Sequence, residues 1–146
     1  MSLKEKYEIQ PIGVIHSCFS EKFGIPRQPG LAPHAVAELE LLPPFAREEM
    51  VRELERFSHI WVSFIFHEIV EEGWRTTIRP PWLGGQKRVG VLASRSPHRP
   101  NFIGMSVVKL QGIRNDCKGL ILDISGVDML DQTPVVDLRP YIPYSD

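Results

Sequence analysis

A chain of 146 residues can hold one domain around one core. With 42% hydrophobic and 24% charged residues and a formal net charge of −1, it is neither disordered nor collagen-like. No apolar run approaches the roughly 18 residues of a membrane helix, and the charged start, residues 1–8, lacks the apolar stretch of a secretory leader.

Residues 7–15 read as a first strand, followed by a Gly- and Pro-containing loop at 24–33. Ala37-Glu38-Leu39-Glu40-Leu41 alternates cleanly and predicts a strand with one wet face. Residues 44–54 predict a short helix, with Pro44 at its start and Met50, Val51 and Leu54 at helical spacing. Residues 57–66 are apolar on both faces, as in a central strand. A long loop at 75–87, a short strand at 89–93 and a tight polar loop at 94–101 come next. Strands at 106–113 and 119–125 form a hairpin around Asn115-Asp116. A last short strand at 133–138 is closed by Pro140.

Thirteen prolines, many in close pairs, argue against a helical bundle. The reading is a single mainly β domain over residues 1–146: a small antiparallel β-barrel with one short helix, whose closure removes exposed edges. The strand–helix alternation of a doubly wound sheet is absent, as is Gly-x-Gly-x-x-Gly, so the fold is not of the Rossmann type. Residues 141–146 carry no terminal signal, and the natural chain is expected to continue beyond them. Cys18 and Cys117 have no motif spacing and read as reduced thiols of a cytoplasmic protein.

The near-neutral total hides a pattern. Residues 38–72 carry nine acids against three bases, whereas residues 73–115 carry eight bases and no acid. Two readings fit the basic stretch: an anionic partner such as RNA phosphates, or pairing with the acidic segments in the fold. Trp74 and Trp82 stand among these arginines, which suits either base stacking by single-stranded RNA or a loop pinned to its own core.

Four segments carry chemistry. In Pro26-Arg27-Gln28-Pro29, flanking prolines stiffen a loop whose arginine and amide can grip a carboxylate and a polar edge. His67-Glu68 ends the apolar strand, where strands meet loops. His59, eight residues earlier, is too far along the strand to share a metal with His67, and no metal site is expected. Ser94-Arg95-Ser96-Pro97-His98-Arg99-Pro100-Asn101 concentrates donors able to cradle a phosphate, a carboxylate or an RNA backbone turn. In Asp128-Met129-Leu130-Asp131-Gln132-Thr133-Pro134-Val135-Val136-Asp137, three carboxylates can hold ribose hydroxyls or act as a base; Asx turns and an ion pair to Arg139 are the plainer alternative.

In order along the chain, Ile12-Gly13-Val14-Ile15, Pro26-Arg27-Gln28, Phe57-Ser58-His59-Ile60-Trp61, Gly90 to Asn101 with Ile103-Gly104-Met105-Ser106, and Asp131 to Asp137 resemble the TsaA/TrmO-like family. The resemblance implies a β-barrel that binds S-adenosylmethionine and works as a homodimer with the cofactor near the interface. It implies methylation of N6 of the threonylcarbamoyl-adenosine beside the anticodon of certain tRNAs. Motif by motif, it nominates Pro26, Arg27, Gln28, His67, Glu68, Arg95 and Asp128, Met129, Leu130 and Asp131 for the cofactor pocket.

Under this reading Asp131 or His98 serves as the base, and Arg75, Arg79, Lys87, Arg88 and Arg99 face the tRNA anticodon loop. Two departures stand out: Gln132 replaces the glycine usual after the first Asp of the last motif, and Asn101-Phe102 replaces Asn-Pro, which is expected to loosen that loop. The competing readings are a non-catalytic RNA- or cofactor-binding barrel, and a phosphate-handling enzyme using Arg95, His98 and Arg99.

Overall fold

The computed structural model describes residues 3–18, 36–80 and 84–146. Eight strands are present among the described residues: β1 (Gly13–Ser17), β2 (Val36–Leu41), β3 (His59–Ile65), β4 (Thr77–Ile78), β5 (Val89–Gly90), β6 (Ile103–Asp116), β7 (Gly119–Ser125) and β8 (Pro134–Pro140). Six of them close a barrel in the order β1-β2-β7-β6-β3-β8, with every neighbouring pair antiparallel. Closure leaves these six strands no free edge. β4 and β5 form a separate two-stranded ribbon.

The alternation in β2 sends Ala37, Leu39 and Leu41 inward and Glu38 and Glu40 out. In β3 the inward set is Ile60, Val62 and Phe64. Ile15, Leu39, Ile60, Val62, Leu122 and Val135 are fully buried. Each such side chain contributes roughly 1.5–3 kcal/mol of burial free energy.

β1 starts at Gly13 rather than at residue 7. Pro11 has no N–H to give a ladder, and pairing begins at Ile12, whose N–H donates to Val135 O and whose O accepts from Leu42 N, both at 2.8 Å. Tyr7 and Ile9, at the start of the expected strand, stand exposed.

The short helical segment at 44–54 is present as two 3-10 turns, Glu48–Val51 and Leu54–Arg56. Between them Arg52 is extended at ψ 131 and Glu53 is left-handed at φ 72, so the i to i+4 ladder never propagates. The strand expected at 89–93 stops at Gly90 because Val91–Ala93 coils into a 3-10 turn. The long loop at 75–87 contains β4, which pairs only with β5. The hairpin turn falls two residues later than expected, at Cys117-Lys118, where Lys118 N–H donates to Asp116 Oδ1 at 2.8 Å. No described helix is long and apolar enough to cross a membrane.

Candidate active site

One end of the barrel, where β3 and β7 finish and β6 and β8 begin, opens into a cleft of about 890 Å³. That volume suits a ligand of cofactor size. Its walls are mainly apolar: Phe64, Phe66, Ile69, Met105 and Leu130 among others. The Phe64 and Phe66 rings meet edge to face, 5.1 Å between centroids. Gly104 lies under them: a Cβ there would sit 2.6 Å from Phe64 Cζ and 2.7 Å from Phe66 Cζ.

The cleft gathers three of the four sequence segments. His67 and Glu68 enter from the end of β3, Arg95 and Arg99 from the 94–99 loop, and Asp128, Met129 and Leu130 from the stretch between β7 and β8. Pro26, Arg27 and Gln28, the fourth, lie outside the described residues, as does Trp82.

Asp128 and Glu68 are the carboxylates among the described lining residues. Ser106 Oγ donates to Asp128 Oδ1 at 2.9 Å. Burial pushes the Asp128 carboxyl above the ordinary carboxylate range, opposed by the Ser106 hydrogen bond and the positive charge of Arg95. Met129 is core, 1% exposed, and forms part of the floor.

Asp131 and His98 stand beside the cleft rather than in its lining. Asp131 Oδ1 accepts the Ser17 backbone N–H at 2.9 Å. His98 Nε2 lies 3.2 Å from Glu72 Oε1. The 94–101 loop is stapled internally: Ser94 Oγ donates to Val91 O at 2.7 Å, Ser96 N–H to Ser94 Oγ at 3.2 Å, and Arg99 Nη1 to Ser94 O at 2.8 Å. Arg99 thus braces the loop from inside the cleft. Arg95 is exposed and makes no hydrogen bond or ion pair among the described residues.

Both sequence departures take left-handed backbone. Gln132 has φ 68 where glycine would rest without strain, and its amide reaches His16 Nδ1 at 3.2 Å, itself 2.8 Å from Glu40 through Nε2. Phe102 has φ 53 and its N–H donates to Arg99 O at 3.0 Å. A proline could do neither. Rather than being loosened by the replacement, the loop has an additional hydrogen bond there.

Arg75, Arg79, Lys87 and Arg88 are exposed on and around the β4–β5 ribbon, with Trp74 59% exposed at its base. None of the four bases forms an ion pair among the described residues; Arg88 Nη1 donates to Thr77 Oγ1 at 3.0 Å. Arg114 is the member of the basic stretch that meets carboxylates, bonding Glu38, Asp116 and Asp123. Asp137 is taken up by Arg139 at 2.7 Å. The described residues hold no group of three or more His, Cys, Asp or Glu able to bind a metal ion.

Ser106 was not nominated from sequence, although the alternation of β6 carries the signal. Gly104, Ser106, Val108 and Leu110 point inward, so a hydroxyl at 106 is buried and needs a partner.

The model of the tRNA-methyltransferase O N-terminal domain matches residues 14–146. The chain belongs to this family. Its similarity to the putative S-adenosylmethionine-dependent methyltransferase RcsF of Pseudomonas aeruginosa is 52% identity over 140 residues, 96% of this chain and 59% of that protein. To the tRNA (adenine(37)-N6)-methyltransferase of Escherichia coli it is 49% identical over 140 residues, 96% of this chain and 60% of that one. A crystal structure of TrmO superposes with TM-score 0.80 at 48% identity, covering 97% of this chain and 60% of the other. The chain therefore spans about 60% of the length of these relatives.

Proposed function

We propose that this chain is the S-adenosylmethionine-binding barrel of a tRNA methyltransferase that acts on N6 of adenosine 37, in the threonylcarbamoyl-modified form. The observation that carries the reading is the cleft itself: apolar walls for an adenine ring, a buried carboxylate at Asp128 and an exposed cation at Arg95. S-adenosylmethionine needs all three features, since its adenine is flat and apolar-faced, its ribose donates hydrogen bonds, and its amino-acid tail carries a carboxylate. The relatives' names support it, two of them naming the cofactor or the tRNA position.

In this reading Phe66, Ile69, Met105 and Leu130 wall the base, and Arg95 pairs with the tail carboxylate. His67, Glu68 and the 128–131 segment supply polar edges. Pro26, Arg27 and Gln28 complete the pocket. When bound, the cofactor supplies an electrophilic methyl on a sulfonium. The protein's part is then to align acceptor nitrogen and methyl, which by itself lowers a barrier by roughly 7–11 kcal/mol, and to accept the proton that N6 loses. Asp131 and His98, beside the cleft, are the candidates to take that proton.

The exposed bases Arg75, Arg79, Lys87 and Arg88, next to Trp74, form the surface for the anticodon loop. The outer face of β3 and β6 carries Trp61, Ile65, Ile103, Met105 and Val107 along the cleft, with Met105 54% exposed, which favours a homodimer with the cofactor near the interface. A tRNA substrate and the free, exposed Cys18 and Cys117 both suit the cytoplasm.

Incubating the chain with radiolabelled S-adenosylmethionine and tRNA carrying threonylcarbamoyl-adenosine tests the reading. Label on N6 of nucleoside 37 is the expected result. Cofactor binding without transfer would make the chain the non-catalytic module instead.

A further inference from the structure

Asp131 and Gln132 form a turn between Leu130 and Thr133, two residues that line the cleft. The Gln132 N–H donates to Ile15 O at 2.6 Å, and the residue stands at φ 68, where a glycine would rest without strain but would carry no side chain. The Gln132 amide nitrogen lies 3.2 Å from His16 Nδ1 and 3.4 Å from each oxygen of the Asp131 carboxylate. On the far side of the ring, His16 Nε2 lies 2.8 Å from Glu40 Oε1. Asp131 Oδ1 in turn accepts the Ser17 N–H at 2.9 Å, and Ser17 Oγ donates to Met129 O at 2.9 Å.

The two ends of this chain of bonds assign the donors and acceptors within it. A carboxylate only accepts, so Glu40 takes a hydrogen from Nε2 and Asp131 takes one from the Gln132 amide. In the neutral ring that leaves Nδ1 bare, able to accept the second amide hydrogen. Turning the amide over would set its carbonyl oxygen against the Asp131 carboxylate, acceptor against acceptor. Glu38, opposite His16 on β2, is engaged by Arg114, so Glu40 is the carboxylate that fixes the ring.

Building on the cofactor reading of the cleft, we propose that His16 is a positioning residue: through Nδ1 it orients the Gln132 amide, and with it the turn that carries Leu130 and Thr133 into the cleft. The part a glycine would play through backbone freedom is taken here by a side-chain clamp. His16 and Glu40 are both partly exposed, so their contact adds little to the stability of the barrel. What the contact fixes is which ring nitrogen accepts. His16 is not among the lining residues, so its effect on a ligand in the cleft passes through the turn.

The test is calorimetric titration of S-adenosylhomocysteine into wild type, His16→Ala, His16→Asn, Gln132→Gly and the double variant His16→Ala/Gln132→Gly. Asparagine puts its Oδ1 where histidine has Nδ1, so it keeps an acceptor for Gln132 while losing the contact with Glu40. His16→Ala is expected to weaken binding about fivefold, within the range of coupling between members of one hydrogen-bond network. His16→Asn should bind within about twofold of wild type. In the Gln132→Gly background, His16→Ala should change affinity less than about twofold, because the amide it acts through is gone. A role in barrel stability alone would affect both His16 variants alike, since both lose Glu40.

Binding by His16→Ala within about twofold of wild type would overturn the assignment. So would an equal loss in His16→Asn, which would make the Glu40 contact responsible rather than the Nδ1 acceptor. A loss that persists undiminished without the Gln132 side chain would overturn it as well. Absence of binding to wild type would instead overturn the cofactor reading, and this assignment with it.

Discussion

Ser106 on β6 gives its hydroxyl hydrogen to Asp128 Oδ1 at 2.9 Å, tying the start of one strand to the segment that follows β7. The bond holds a carboxylate in a cleft whose walls are mostly hydrocarbon. Its consequences for stability are measurable apart from any reaction.

Asp128 binds its proton more tightly in the folded than in the unfolded chain, because burial raises its pKa above 3.8. Between 3.8 and the raised value the native state carries the extra proton, so stability falls as pH rises through that window and stays at the lower level above it. Asp128→Asn removes this component. Thermal unfolding from about pH 3 to about pH 8 should show a smaller decline across the window for the variant than for wild type. Identical pH profiles would contradict the burial of this carboxylate.

Gln132 sits at φ 68, and the strain of a non-glycine residue there is roughly 1 kcal/mol. Gln132→Gly should recover most of it, less the amide bond to His16, and be neutral or stabilising. Gln132→Ala keeps the strain and loses the bond, so it should destabilise by about 0.5–1.5 kcal/mol. Urea unfolding of the pair checks the order.

Phe102→Pro restores the dipeptide usual in the resembling family, yet the Phe102 N–H and its φ of 53 exclude proline. The expected cost is about 3 kcal/mol or a rearranged 94–101 loop. Unaltered stability would mean that the loop takes a different path here.

Lys87 and Arg79 are exposed and free of carboxylates among the described residues. If they meet RNA phosphates, tRNA affinity measured across a salt series should fall linearly on a log–log scale. Each charge removed by Arg79→Ala or Lys87→Ala should reduce the slope by roughly 0.7–0.9. A slope unchanged in both variants would place the RNA elsewhere.

Strict alternation made β2 legible almost to the residue, and the β6–β7 hairpin was legible from its strands, although its turn lies at Cys117-Lys118 rather than at Asn115-Asp116. β1 was overextended because only hydrogen-bond accounting reveals that the ladder begins at Ile12, after Pro11. The 44–54 segment shows why periodicity predicts helical direction better than helix type: Met50, Val51 and Leu54 share a side, but a left-handed Glu53 is invisible in that pattern. The ribbon strand β4, two residues long, has no periodicity to read.

For the site, His67, Glu68, Arg95 and Asp128 were named from motifs and do converge. What the motifs could not separate is which carboxylate of Asp128 and Asp131 faces the cleft. The difference depends on Ser17, 114 positions from Asp131 in sequence, whose backbone N–H takes the second carboxylate aside. A long-range hydrogen bond of that kind leaves no local trace.

The proposed function requires the barrel-end cleft to bind S-adenosylmethionine through Arg95 and its apolar walls. Calorimetric titration of S-adenosylhomocysteine into wild type and Arg95→Ala tests it most directly. Micromolar binding to wild type is expected, weakened about tenfold or more by the substitution, the worth of one charge-assisted bond. No binding to wild type, or equal binding by both proteins, would contradict it.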